Sequence, residues 1–150
     1  MKPHLFLILL PLVGLRVQAQ KRTAPASQLV WIKQVAVQNK VNVLVVDYVT
    51  MLTGSRAVKA ARLAGEAEFE LRTNGDTAWY VPNDFYIKNR SRKLRTLPVA
   101  DSSGIQLIRE GGSRLYKSDL AQLKKGYAGK LYRLEIVLGK IVKLTEVYTP

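Results

Sequence analysis

The stretch that most constrains the fold is Val81-Pro82-Asn83-Asp84-Phe85-Tyr86-Ile87, a corner set between two runs of strand-forming residues. Pro82 fixes its own φ and biases Val81 towards extended backbone. Asn83 and Asp84 carry short side chains that hydrogen-bond nearby backbone N–H groups. The reading is strand, tight corner, strand, with structural roles for Pro82, Asn83 and Asp84, the last as a backbone cap. Beyond the corner come Lys88, Arg90, Arg92, Lys93 and Arg95, with no acidic residue from Lys88 to Arg95. In an extended segment Lys88 and Arg90 share a face with Tyr86. These six residues are the candidate ligand-binding set on a basic, aromatic-edged surface.

Upstream, Val30 to Val37 and Val41 to Met51 read as paired strands around a turn at Asn39-Lys40. Alternation puts Val41, Val43, Val45, Val49 and Asp47 on one face of the second strand and Leu44, Val46 and Tyr48 on the other, so both faces are expected to be covered. Asp47 is assigned a structural role, paired with Arg95 or another cation. Thr53 is expected to cap a short helix carrying Ala57, Ala61 and Ala64 and ending at Gly65. Glu68 to Arg72 and Asp76 to Val81 flank Asn74-Gly75, a strong hairpin signal, with Trp79 and Tyr80 on opposite faces.

Downstream, Leu94 to Val99 and Ile105 to Arg109 are expected as two strands separated by Ala100-Asp101-Ser102-Ser103-Gly104. Ser118 is expected to cap a helix from Asp119 to Lys125 that closes at Gly126. Tyr132 to Leu138 alternates, Gly139-Lys140 supplies a two-residue turn, and Ile141 to Tyr148 returns. Many short strands with two small helices predict a mainly β member of the α+β class, a strongly bent antiparallel sheet or small β-barrel. A two-layer α+β sandwich is the alternative.

Several separated pieces, Asp47-Tyr48, Leu52-Thr53-Gly54, Val81-Pro82-Asn83-Asp84-Phe85-Tyr86-Ile87-Lys88-Asn89, Leu94-Arg95-Thr96-Leu97-Pro98-Val99 and Glu146-Val147-Tyr148-Thr149-Pro150, together resemble an uncharacterised family of small exported bacterial domains. The resemblance covers most of residues 41–150. It implies a compact secreted domain and brings no catalytic assignment. The chain departs from that pattern in lacking a lipid-anchor cysteine, in its basic surface, in Arg133 after Tyr132, and in the hairpin from Glu68 to Tyr80, which reads as an insertion.

Residues 1–19 have a signal-peptide pattern, with Lys2 and His4, an apolar run from Leu5 to about Leu15, and Val17-Gln18-Ala19 before Gln20. That run falls short of the ~20 residues a spanning helix needs. The expectation is a secreted or periplasmic protein, cleaved near Ala19, with a flexible leader at 20–28, a single β-rich domain at 29–150 and no transmembrane segment in the mature form. Cleavage removes Lys2 and Arg16 and no acid, taking the formal charge from +13 to +11. Such a surplus favours polyanions: an envelope polymer, an anionic lipid surface or nucleic acid.

Without cysteine, and with its single histidine at His4, the mature chain lacks the residues for Ser-His-Asp or Cys-His catalysis and for the usual zinc and haem ligand sets. It has no Gly-rich phosphate loop. Asp47 and Asp84 remain as conventional catalytic groups or cation ligands, and two acids are few for calcium. Neither a cofactor nor a metal is expected. The sequence therefore predicts a secreted, non-enzymatic binding module with a basic face. A structural or protein-interaction domain of the envelope, with Trp79, Tyr80 and Tyr86 as contacts, is the alternative, and a carboxylate-dependent enzyme comes third.

Overall fold

The structure is a computed structural model that describes residues 24–149. The expected signal segment 1–19 and the first part of the expected leader lie outside the described residues. The remainder of the expected leader is not all loop, because strand β1 (Ala26–Gln38) already pairs at Ala26 with Ile136. Backbone bonding to a neighbouring strand requires no apolar periodicity, which is why composition did not mark it.

β1 turns into β2 (Val41–Thr53) through Asn39 and Lys40, both at positive φ, the two-residue turn whose twist suits a hairpin. Lys33 is an extra residue between Ile32 and Gln34, so the inward set shifts from Val30 and Ile32 to Val35. In β2, Leu44 and Val46 point into the main core, while Val43, Asp47 and Val49 are also buried, so this strand is largely covered on both faces.

The chain then leaves the sheet. Helix α1 (Gly54–Ala64) buries Ala57 and Ala61 and stops at Gly65, whose φ of 74° only glycine adopts cheaply. Thr53 stands at its N-cap without a side-chain hydrogen bond. β3 (Glu68–Leu71) and β4 (Thr77–Tyr80) form a separate two-stranded sheet, and β5 (Phe85–Lys88) returns to pair with β2. Val81, Ala57 and Ala61 form a small second core, with Leu52 and Tyr86 packed on it.

β6 (Leu94–Ile108) is one long strand, not the two expected, with a register irregularity between Val99 and Gly104. Both halves are anchored on the same neighbour, which carries the polar residues between them along in extended backbone. β7 (Leu115–Ser118) pairs with its end, α2 (Leu120–Gly126) follows, and β8 (Leu131–Val137) and β9 (Lys140–Val147) complete the chain. The α2 cap is Asp119, whose carboxylate accepts from Gln122 N at 2.8 Å, one residue beyond the expected Ser118. The last hairpin turns at Leu138-Gly139, again one residue from expectation.

β1, β2, β6, β9 and β8 close into a five-stranded barrel, because β2 pairs with β6 as well as with β1. All contacts are antiparallel except β6 with β9. A three-stranded meander, a last strand parallel to its third member, and a fourth closing on the first give the order of the Greek-key barrel called the OB-fold. Leu123 of α2 plugs the core among Val30, Leu44, Tyr132 and Leu134, and burying such a leucine contributes about 2 kcal/mol.

Candidate ligand-binding surface

Two of the barrel connections, Asn39-Lys40 and Leu138-Gly139, are minimal turns. The longest barrel connection runs from β2 to β6, where the corner and the basic residues lie. At the corner Asn83 and Asp84 sit consecutively at φ 58° and 57°, and Asp84 N donates to Val81 O at 3.3 Å. Asn and Asp tolerate this left-handed backbone better than other residues with side chains. The Asp84 carboxylate itself makes no hydrogen bond among the described residues, so the expected cap is not formed. Backbone conformation accounts for Asp84 instead.

After β5, Asn89 folds back onto β2 and donates from Nδ2 to Asp47 Oδ2 at 2.7 Å. Asn89 Oδ1 accepts from Ser91 N (3.0 Å), and Ser91 Oγ accepts from Lys93 N (3.3 Å). Lys93 O accepts from Arg95 Nη1 (3.0 Å), and the Arg95 guanidinium lies 4.1 Å from the ring centre of Tyr48. The loop is thus fastened to two adjacent residues of β2, Asp47 at one end and Tyr48 at the other. Between the fastenings Arg90, Arg92 and Lys93 are exposed.

Asp47 and Arg95 do not pair. The register aligns Val46 with Arg95 and Asp47 with Leu94, which sends the two side chains to opposite faces of the sheet. Asp47 is 5% exposed, and its Oδ1 has no partner among the described residues. The two ion pairs among those residues, Lys130–Glu146 and Lys143–Glu135, leave the basic loop unneutralised.

The six candidate residues therefore separate. Arg90, Arg92 and Lys93 stand together on the loop, and Lys88 is half-buried beside it on β5. Arg95 is committed to Tyr48 and the loop backbone. Tyr86 packs on the α1 core, where burial and then the Glu66 carboxylate hold its hydroxyl above the usual tyrosine range.

A second polar constellation was not singled out by the sequence. Glu146, 7% exposed, accepts from Lys130 Nζ at 2.9 Å and from Ile108 N at 3.0 Å, between two surface clefts. Opposite it in register, Tyr132 is buried, and desolvation followed by the Glu146 charge pushes its hydroxyl far up. Alternation from Leu144 was the available signal, because it turns Glu146 inward. With both oxygens engaged, this carboxylate ties β9 to the end of β6. Among the described residues no group of three or more His, Cys, Asp or Glu side chains is placed to hold a metal ion, and no helix is long and apolar enough to cross a membrane.

Comparison with protein-family models, with curated proteins and with solved structures returns no match for this chain.

Proposed function

We propose that this protein is a secreted, non-enzymatic module that binds polyanionic envelope or extracellular polymers through the loop from Asn89 to Lys93. The observation that carries the reading is that Arg90, Arg92 and Lys93 project, without an acidic partner among the described residues, from a loop stitched to Asp47 and Tyr48. Holding the backbone in place lowers the ordering cost of binding, and the unneutralised charge attracts phosphate-rich chains. In barrels of this strand order the ligand commonly lies across the second and third strands and the neighbouring turns. Here those turns are minimal, and the basic loop is tied to β2 and leads directly into β6.

The test is a salt series with a teichoic-acid-like polymer and single-stranded DNA, comparing Arg90→Glu plus Arg92→Glu with Lys124→Glu plus Lys125→Glu on α2. The loop pair is expected to abolish most binding and to flatten the log affinity against log salt slope by roughly 0.7 to 0.9 per lost phosphate contact. Equal losses from both pairs would show that net charge alone attracts the polymer.

A further inference from the structure

The arm formed by α1 and the β3–β4 hairpin is built unlike the rest of the molecule. All of β3 and most of β4 are exposed, and the hairpin forms its own two-stranded sheet, a unit that is marginal in water unless its apolar face is covered. Phe69, Leu71 and Trp79 share one face, with the Phe69 and Trp79 rings 5.3 Å apart. Leu63 at the end of α1 adds to them. Leu63 is 80% exposed, Leu71 69% and Phe69 58%. Between helix and hairpin lies an open cleft of about 730 Å³, lined by Ser55, Val58, Lys59, Arg62, Leu63 and Trp79. Its charged lining is entirely cationic, and Arg62 sits 4.6 Å from the Trp79 ring centre.

The acidic residues of the arm are turned elsewhere. Glu68 and Glu70 lie on the reverse face of the hairpin, where the Glu68 carboxylate beside the Tyr80 hydroxyl holds it above the usual tyrosine range. Glu66 is engaged with Tyr86, and Asp76 with Asn74 at the hairpin tip. One side of the arm is therefore apolar and positive and the other acidic.

We propose that this arm docks on the surface of an anionic lipid bilayer, inserting Leu63, Phe69, Leu71 and Trp79 while Arg56, Lys59 and Arg62 meet the headgroups. This site is distinct from the basic loop. Aromatic and aliphatic side chains beside long cationic ones suit the boundary between acyl chains and phosphates, where cationic stems lie along apolar surface and their charges reach outward. The most exposed apolar residues protrude at the rim instead of lining a closed pocket. A fluid apolar phase accepts protrusions without a complementary shape, whereas a folded partner needs one. A second copy packed symmetrically on this face would bring Lys59 and Arg62 against their own likenesses.

Trp79 reports the contact directly once Trp31→Phe makes it the only tryptophan. With vesicles of equal phosphatidylcholine and phosphatidylglycerol its emission should shift to the blue, and with pure phosphatidylcholine it should change little. Leu63→Asp plus Leu71→Asp, both at exposed positions, should weaken partition roughly tenfold or more, as should Arg56→Gln plus Lys59→Gln. Arg90→Glu plus Arg92→Glu should leave the Trp79 shift in place, so that failure of the polymer site and failure of this one read differently. Unchanged Trp79 emission on anionic vesicles overturns the proposal. A protein-concentration-dependent shift without lipid also overturns it, in favour of self-association, and a shift lost only with Arg90 and Arg92 assigns membrane contact to the loop.

Discussion

Asn89 donates its side-chain amide to Asp47 Oδ2 at 2.7 Å, and by that bond an exposed basic loop is fixed to a buried carboxylate on β2. Among the described residues Asp47 forms no ion pair, and its other oxygen has no hydrogen-bond partner. An amide in its place can still accept from Asn89 while removing a desolvated charge. Asp47→Asn should therefore melt at or above the parent temperature. Asp47→Ala removes the tie to Asn89 and should cost about 1 kcal/mol by urea unfolding. The Ala variant should also loosen residues 89–93, read as faster amide exchange.

Arg95 and Arg92 are separated by two residues and differ in what they do. Arg95 lies over Tyr48 and bonds Lys93 O, so Arg95→Ala should cost about 1 kcal/mol of stability. Arg92 is exposed, and Arg92→Ala should leave the denaturation midpoint within experimental error while weakening polymer binding. Equal stability losses from the two would mean that the loop is not fastened at Tyr48.

At the corner, Asn83 and Asp84 are chosen for left-handed backbone. Glycine adopts that conformation freely and β-branched residues resist it. Asp84→Gly should be close to neutral in thermal melts, whereas Asp84→Val should cost about 1–2 kcal/mol. If the side chain mattered as a cap, Gly and Val would be damaging alike.

Tyr132 is expected to make stability fall at alkaline pH. Burial first, and the Glu146 charge second, hold its hydroxyl protonated well above the usual tyrosine range. Above pH 10 the unfolded chain releases this proton and the folded protein keeps it, so its contribution is complete below pH 10 and is lost as pH rises. Urea unfolding should show stability falling between pH 10 and 11, less steeply in Tyr132→Phe. Glu146→Gln should soften the fall only in part, since burial is the larger cause.

Local pattern made much of this legible. The alternation of Leu44, Val46 and Tyr48 against Val43, Asp47 and Val49 marked β2, Asn74-Gly75 marked the β3–β4 hairpin, and Ala57, Ala61 and Gly65 marked α1. What escaped was set at long range. Closure of the barrel depends on β2 meeting β6 and on β6 running parallel to β9, contacts that no local periodicity encodes. The same register put Asp47 and Arg95 on opposite faces, undoing an ion pair that composition made attractive. Of the basic cluster, Arg90, Arg92 and Lys93 are exposed, while the engagement of Tyr86 with Glu66 and α1 required the fold.

Thr53 and Phe85 are paired neighbours on β2 and β5, so the chain departs for α1 and the β3–β4 hairpin and comes back to almost the same place. The barrel does not depend on that excursion for its closure. A short linker from Thr53 to Phe85 should leave a smaller protein with the basic loop intact. The arm is thus an excursion from a barrel whose five strands pair with one another without it.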